Sequence, residues 1–234
     1  MPGPLEPRPS VSARRLVGRG LVIRTLDRDW IRNCLDRRRP VPAEPPVFGD
    51  FRKEHGDHAL NPGMEPAQPL KPAAVLVPLI DRSDELTVLL TERTSHLAHH
   101  AGQVSFPGGH IEPQDGGAPI ETALRETEEE VGLDRGRVNV IGHLDTYITR
   151  TGFMVTPVVG VITPPFVLRP DPHEVAEIFE VPLSFLLDRE NHQRCTAEFE
   201  GITRHFWAMP YGRHFIWGAT AGMLINFCDI LDAR

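Results

Sequence analysis

The sequence predicts an α/β fold in which helices cover both faces of one mixed β-sheet, an α/β/α sandwich. Short apolar or alternating runs, typical of strands, recur through residues 73–162 and again near residues 197–210. Two other segments show helical apolar spacing instead. One lies at residues 119–131, between strand runs, and the other at residues 216–231, near the end of the chain.

The first 70 residues differ in composition from the rest of the chain. Roughly half of its 23 prolines lie in residues 1–70, which predicts a Pro-rich N-terminal extension with one short helix around residues 26–37. The three arginines at 37–39 are interpreted as solvated, with contact to phosphates as the alternative. The globular domain is then expected to span residues 71–234.

Strands and helices alternate from residue 71 onward. Residues 73–80 predict a buried strand, and residues 86–91 are expected to pair back with it after a turn. Pro119 and Gly132 mark the start and the stop of the central helix. Residues 96–103 are expected to form a loop, from which residues 104–106 lead into the glycine pair. The other predicted elements are strands at 138–149 and 154–162, a strand with a short helix at 174–188, a strand pair turned near Gly201 at 197–210, and a closing helix at 216–231.

The helix predicted at residues 119–131 carries three carboxylates on one side. Glu126, Glu129 and Glu130 fall on an arc of about 100° that borders the apolar stripe. Like charges at this spacing repel, so the arrangement favours a bound cation. Oxygen ligands shared with substrate phosphates favour Mg²⁺ or Mn²⁺. Arg125 lies four residues before Glu129 and can hold its carboxylate in place, while a solvated acidic helix face is the alternative interpretation.

Composition excludes several classes of protein. The net charge of −7 gives no broad electrostatic surface for nucleic acid. No window approaches the roughly 18 apolar residues of a membrane span. Three widely separated cysteines predict reduced thiols in the cytoplasm rather than disulfides. An acidic protein can still bind a small anionic substrate through metal ions, and both a monomer and a homodimer are compatible with the sequence.

The stretch from Gly108 to Leu133 resembles the Nudix box, G-x5-E-x7-R-E-U-x-E-E-x-G-U, where U is apolar. The residues that match in register are Arg125, Glu126, Glu129, Glu130, Gly132 and Leu133. The loop after the glycines is longer by two residues, Asp115 stands at the place of the first glutamate, and Thr127 replaces an apolar residue. The resemblance implies a Nudix-type α/β/α sandwich and a metal-dependent pyrophosphohydrolase.

The segment at residues 89–109 resembles the extra signature of the coenzyme A pyrophosphatase branch, LLTxRSx3Rx3Gx3FPGG. The matching residues are Leu89, Leu90, Thr91, Arg93, Gly102, Phe106, Pro107, Gly108 and Gly109. This resemblance implies cleavage of coenzyme A or an acyl derivative to 3′,5′-ADP and a 4′-phosphopantetheine product. Ala98 replaces the second arginine of the signature, which predicts weaker binding of coenzyme A.

The Nudix resemblance also implies a set of metal ligands and a general base. Glu126, Glu129 and Glu130 are the expected metal ligands, together with the backbone carbonyl of Gly108. Glu129 is preferred as the base and Glu174 as a further metal ligand. The alternative is that Glu174 is the base. Relatives use either a glutamate of the box or one from a later loop.

Other residues are expected to act on the substrate or on the base. Arg93 is the candidate phosphate clamp, Gly102 and Phe106 are candidate substrate contacts, and Arg125 is counted as catalytic because it orients Glu129. Hydrolysis of ADP-ribose or a nucleotide sugar, and a non-catalytic nucleotide sensor, are the alternative functions. The histidines at 96, 99 and 100 are expected in a loop near the substrate, with a zinc site as the alternative.

Overall fold

A computed structural model of the chain describes residues 27–36, 44, 54–96, 101–199 and 201–232. The described strands are β1 (His55–Gly56), β2 (Lys71–Asp81), β3 (Leu86–Arg93), β4 (Val104–Ser105), β5 (Gly108–His110), β6 (Val138–His143), β7 (Tyr147–Ile148), β8 (Phe153–Ile162), β9 (Val175–Pro182), β10 (Gln193–Phe199), β11 (Ile202–Tyr211) and β12 (His214–Trp217). The described helices are α1 (Arg28–Asp36), α2 (Asp57–Leu60), α3 (Pro119–Val131), α4 (Leu183–Leu187) and α5 (Gly218–Asp232). None of these helices is long and apolar enough to cross a membrane.

Nine strands form one mixed sheet, as the sequence predicts. The order along its main path is β1-β7-β8-β2-β3-β4, while β5 also pairs with β2, β6 with β8, and β9 with β3. The pairs β2–β8 and β1–β7 are parallel, and the remaining pairs are antiparallel. Strands β10–β12 form a separate antiparallel sheet.

Alternating side chains of β2 separate the two layers that cover the main sheet. Ala74 and Leu76 pack with Ala123 of α3 on one face. Ala73 and Val77 belong to the large core on the other face, which contains residues of α1 and α5. Because successive side chains of a strand point to opposite faces, one apolar run serves both layers. The α/β/α sandwich follows directly from this burial on both faces.

Helix α3 has the boundaries that the sequence predicts. Pro119 is its first residue, where a missing N–H removes no helical hydrogen bond. Gly132 follows the helix with a φ of 67°, and its N–H donates to the carbonyl of Glu128 at 3.0 Å. A side chain at Gly132 would also lie 2.8 Å from the Arg169 backbone, so this position combines a left-handed turn with close packing.

Two of the segments that differ from the sequence-based expectation lie in the second half of the chain. Residues 138–149 form two strands, β6 and β7, because the chain turns between them and the Asp145 N–H donates to Asn226 Oδ1 of α5 at 3.0 Å. The closing helix begins at Gly218 rather than residue 216, because residues 214–217 pair with β11 as strand β12. The pair that turns near Gly201 is present as β10 and β11.

Two described parts of the first 70 residues pack onto the sheet. Ile31 and Leu35 of α1 are 0% and 3% exposed and belong to the main core. Asp57, which follows β1, accepts hydrogen bonds at 2.8 Å from the Tyr147 hydroxyl and from the Arg150 N–H. The domain boundary near residue 70 stays a prediction, and these contacts give it a direct test.

We expect Ile31→Ala to lower the free energy of unfolding of the full chain by about 2–5 kcal/mol, since it removes buried aliphatic carbons from the core. Asn33→Ala, at an exposed position of the same helix, is the matched control and should change it by less than about 0.5 kcal/mol. Urea unfolding of both variants measures the effect. Equal stabilities of the two variants would show that α1 adds nothing to the domain.

Candidate active site

Helix α3 presents its three predicted glutamates in order of increasing exposure. The Glu130 and Glu126 side chains are 5% and 17% exposed, while that of Glu129 is 58% exposed. Burial raises the pKa of Glu126, and the neighbouring carboxylates of Glu129 and Glu174 raise it further against the opposing effect of Arg125. The structure therefore brings Glu174, from a segment more than 40 residues away, beside the glutamates of the helix.

Glu130 is a buried acid with an unfilled hydrogen-bonding position. Burial raises its pKa to about 8; Arg93 and the Gly108 N–H oppose the shift, and the Glu174 and Glu126 carboxylates add to it. Its Oε2 is buried and has no hydrogen-bond partner. An ionised carboxylate in such a position needs a cation or donors that the side chains around it do not supply.

The glycine pair lets the backbone of β5 approach these carboxylates. A Cβ atom at Gly109 would lie 2.5 Å from the Glu126 carboxylate, and one at Gly108 would lie 2.4 Å from the Ala74 carbonyl oxygen. Any other residue would therefore displace either Glu126 or the central strand. The predicted role of the Gly108 carbonyl as a metal ligand stays a prediction, while the Gly108 N–H faces Glu130.

Arg125 connects the loop before α3 with the carboxylates on it. Its Nε and Nη2 donate to the two oxygens of Asp115 at 2.8 and 3.0 Å. Its Nη1 contacts Glu126 at 2.9 Å and Glu129 at 3.0 Å, and Nη2 donates to the His110 carbonyl at 3.3 Å. Hydrogen bonds to Asp115 hold the pKa of Arg125 above its usual value. Arg125 thus contacts Glu129 at the spacing that the sequence indicates, and its role in catalysis stays a prediction.

Asp115 is the partner of Arg125, a role that the sequence did not assign. It is 5% exposed and also accepts hydrogen bonds from Thr122 Oγ1 at 2.8 Å and from the Glu112 N–H at 2.9 Å. The Arg125 guanidinium holds the pKa of Asp115 well below its usual range. A 3₁₀ turn at Pro113–Asp115 brings the carboxylate of Asp115 back toward α3, although the loop is two residues longer than in the Nudix box.

Arg93, at the end of β3, lies between two carboxylates at distances too long for hydrogen bonds. Its Nη1 is 3.7 Å from Glu130 Oε1, and its Nη2 is 3.8 Å from Glu174 Oε2. Its Nε is buried without a partner. The guanidinium is therefore held near the site by charge and keeps donors available for an anion such as a phosphate.

The two other candidate substrate contacts differ in accessibility. Gly102 is exposed, has a φ of 69°, and donates its N–H to the Arg93 carbonyl at 3.1 Å, which closes the loop after β3. Phe106 is 2% exposed and packs in the main core, so its ring has almost no surface for a substrate. His96 is exposed, whereas Ala98 and the histidines at 99 and 100 lie outside the described residues.

Comparison with known proteins agrees with this arrangement of motifs. Residues 70–210 match the family model of the NUDIX domain. The Escherichia coli (strain K12) protein named Uncharacterized Nudix hydrolase NudL is 42% identical over 152 residues, which cover 65% of this chain and 78% of that protein. The protein of the same name from Photorhabdus laumondii is 43% identical over 152 residues and is covered to 80%.

Among solved structures, a NUDIX hydrolase from Alicyclobacillus acidocaldarius is 18% identical with a TM-score of 0.45, over 70% of this chain and 94% of that one. The NUDIX domain of Shewanella oneidensis NrtR complexed with ADP ribose is 18% identical with a TM-score of 0.39, over 52% and 78% of the two chains. With TM-scores below 0.5, neither structure bears on the chemistry of this chain.

We expect Asp115→Asn to lower the free energy of unfolding at pH 7 by about 3 kcal/mol, because it leaves the Arg125 guanidinium without its buried anionic partner. The pKa of Asp115 is lower in the folded than in the unfolded chain, so its stabilisation is present above about pH 4 and is lost as the pH falls further. The difference between wild type and variant should therefore shrink at pH 3. Urea unfolding at both pH values measures it, with Glu128→Gln, exposed on the same helix, as the control.

The raised pKa of Glu130 predicts that the stability of the metal-free protein depends on pH in the opposite direction. Its folded pKa of about 8 lies above the unfolded value near 4.3, so the unfolded chain binds fewer protons between these values and stability falls as the pH rises through them. Thermal unfolding with a chelator should show this decline in the wild type and a smaller one in Glu130→Gln. Added Mg²⁺ or Mn²⁺ should stabilise the wild type more at pH 8 than at pH 6. If stability fell equally with pH in the wild type and in Glu130→Gln, the raised pKa would not belong to Glu130.

Proposed function

The chain belongs to the NUDIX domain family, and on this premise we propose that it hydrolyses the diphosphate of coenzyme A or an acyl derivative with Mg²⁺ or Mn²⁺. The curated relatives described above are named Nudix hydrolases, and hydrolysis is the reaction class of this chain. The proposal concerns the substrate, the cation and the roles of the individual residues.

One observation carries the choice of substrate: the two motifs meet at Arg93. This arginine belongs to the segment at residues 89–109 that resembles the coenzyme A branch, and it lies 3.7 Å from Glu130 of the Nudix box. Its partnerless Nε and its long ion pairs suit a guanidinium that exchanges carboxylate neighbours for phosphate oxygens. A diphosphate beside Arg93 would therefore also lie beside the box carboxylates.

The donor set fits a divalent cation. Glu130 is buried and Glu126 half-buried, burial raises the pKa of both carboxylates, and one oxygen of Glu130 has no partner. Glu129 and Glu174 add two exposed carboxylates at the same place. Hard oxygen ligands of this kind suit Mg²⁺ or Mn²⁺ rather than softer metals. A cation held by these carboxylates would neutralise charge on the diphosphate and lower the pKa of a water bound to it.

We assign the base and the supporting groups from exposure and contacts. Glu129 is the exposed member of the helix set and is oriented by Arg125, so it can accept the proton of the water that attacks phosphorus. The P–O bond to the bridging oxygen breaks, and the two products leave as 3′,5′-ADP and a 4′-phosphopantetheine derivative. Glu174 serves as an additional ligand, and Arg93 holds a phosphate oxygen in place.

The cysteines support the proposed location in a reducing compartment, the cytoplasm. Cys34, Cys195 and Cys228 are all free thiols. Burial raises the pKa of Cys228 to about 12, which keeps this thiol protonated and chemically inert.

The test is product analysis by mass spectrometry with coenzyme A, an acyl-coenzyme A and ADP-ribose, each with Mg²⁺ or Mn²⁺. We expect cleavage between the two phosphates of coenzyme A or its acyl derivative, and a fall in kcat of about 100-fold or more in Glu130→Gln. Glu128→Gln removes the same charge from an exposed position of α3 and should retain wild-type turnover.

Each alternative has a distinct result. Cleavage of ADP-ribose without cleavage of either coenzyme A substrate would refute the branch assignment and leave the Nudix chemistry in place. Binding without cleavage of any diphosphate would favour a nucleotide sensor. Wild-type turnover in Glu130→Gln at saturating cation would refute the assignment of the cation ligands.

A further inference from the structure

A second group of potential metal ligands lies on the strands, away from helix α3. It consists of Glu92 on β3, Glu177 on β9 and His214 on β12, and one ligand atom of each lies within 4.8 Å of the others. His214 Nδ1 is 3.2 Å from Glu92 Oε2, and Nε2 is 3.9 Å from Glu177 Oε2. Glu92 and Glu177 are direct cross-strand partners, so the backbone itself holds their carboxylates together.

His214 is fixed in the orientation that a metal ligand requires. Its side chain is 9% exposed, and its ring stacks on Phe179 with centroids 3.7 Å apart and an interplanar angle of 4°. Phe179 lies two residues after Glu177 on β9, so both side chains point to the same face of the sheet. The imidazole is thus buried between an aromatic ring and two carboxylates, and little ordering remains to be done on binding.

The charges of this group are incompletely balanced by firmly held partners. Arg213 forms an ion pair with Glu177, but its side chain is 71% exposed. An exposed ion pair of this kind contributes little to stability, so an incoming cation can displace the guanidinium. Two facing carboxylates then remain to balance the charge of a divalent ion.

We propose that Glu92, Glu177 and His214 form a transition-metal site of the class that binds Zn²⁺, with water completing the coordination. Imidazole combined with carboxylates favours Zn²⁺ over Mg²⁺, unlike the carboxylates of α3. Tetrahedral bonds of about 2.0–2.2 Å place the ligand atoms roughly 3.3–3.6 Å apart. His214 Nδ1 and Glu92 Oε2, at 3.2 Å, are already close to this separation, and rotation of the Glu177 side chain brings in the third ligand. The metal would cross-link β3 and β9 of the main sheet to β12 of the smaller sheet.

Zinc titration calorimetry on the full chain tests the proposal. The background is Glu126→Gln/Glu130→Gln, which blocks the carboxylate site on α3. In this background one Zn²⁺ should bind per chain, and excess Mg²⁺ should not displace it. His214→Gln and Glu92→Gln should each weaken binding at least about 10-fold, since even the loss of an outer-shell partner typically costs 10–100-fold. His205→Gln, the same change on neighbouring β11, should bind as the background does.

Thermal unfolding supplies a second measurement. Zn²⁺ should raise the melting temperature of the background protein but not of His214→Gln. If His214→Gln fails to fold without metal, Glu92→Gln supplies the test instead. The Glu92 side chain is 31% exposed, and glutamine has nearly the same shape as glutamate, so this variant should fold. Absence of Zn²⁺ binding in the background, equal affinity in Glu92→Gln, or displacement by Mg²⁺ would each overturn the proposal.

Discussion

The guanidinium of Arg125 joins two of the chain segments that form the candidate active site, the loop at Asp115 and helix α3. It bonds to Asp115 of the loop through two nitrogens, and it contacts Glu126 and Glu129 of α3 through a third. Without the guanidinium, the carboxylate of Asp115 would repel those of Glu126 and Glu129, with Thr122 Oγ1 as its remaining donor from the helix. A fixed fork of donors between them sets the distance of loop from helix and the orientation of the exposed glutamate.

Burial of Glu130 is the second constraint on the site, and the glycine pair beside it lets the β5 backbone lie close to the glutamates of α3. A carboxylate with a pKa of about 8 and one partnerless oxygen is unfavourable in the folded protein unless a cation binds. Gly109 allows the backbone to lie against Glu126, since a Cβ there would be 2.5 Å from its carboxylate. The buried Glu130 therefore lowers the stability of the metal-free protein at the position where we propose that a cation binds.

The features that the sequence predicted correctly are those that helical spacing alone determines. The helix at Pro119–Val131, the common side of its glutamates and the contact of Arg125 with Glu129 all follow from helical spacing. Motif similarity could not distinguish Phe106 as a core residue, because buried and substrate-facing positions of a motif look alike in sequence. The pairing of Asp115 with Arg125 was missed because it depends on the path of an irregular loop.

The register between β3 and β9 could not be predicted either, and it sets two sites at once. Glu92 pairs with Glu177, but Arg93 pairs with Val175, so Ala176 is the extra residue of a bulge. Such bulges re-aim side chains beside active sites. Here the shift aligns Glu174 with the end of β3, where its carbonyl accepts the Thr94 N–H at 2.9 Å and its carboxylate lies 3.8 Å from Arg93.

Alternation along β3 completes the consequence of that register. Glu92 points toward His214 of β12, while Arg93 points toward Glu130 of α3, on the other side of the sheet. A cation bound at Glu92 would fix the strand whose next residue is the candidate phosphate clamp. A slip of one residue would exchange the two faces and destroy both arrangements. The unpaired residue in β9 therefore brings Glu174 level with Arg93, while alternation along β3 places the imidazole–carboxylate group on one face and the arginine on the other.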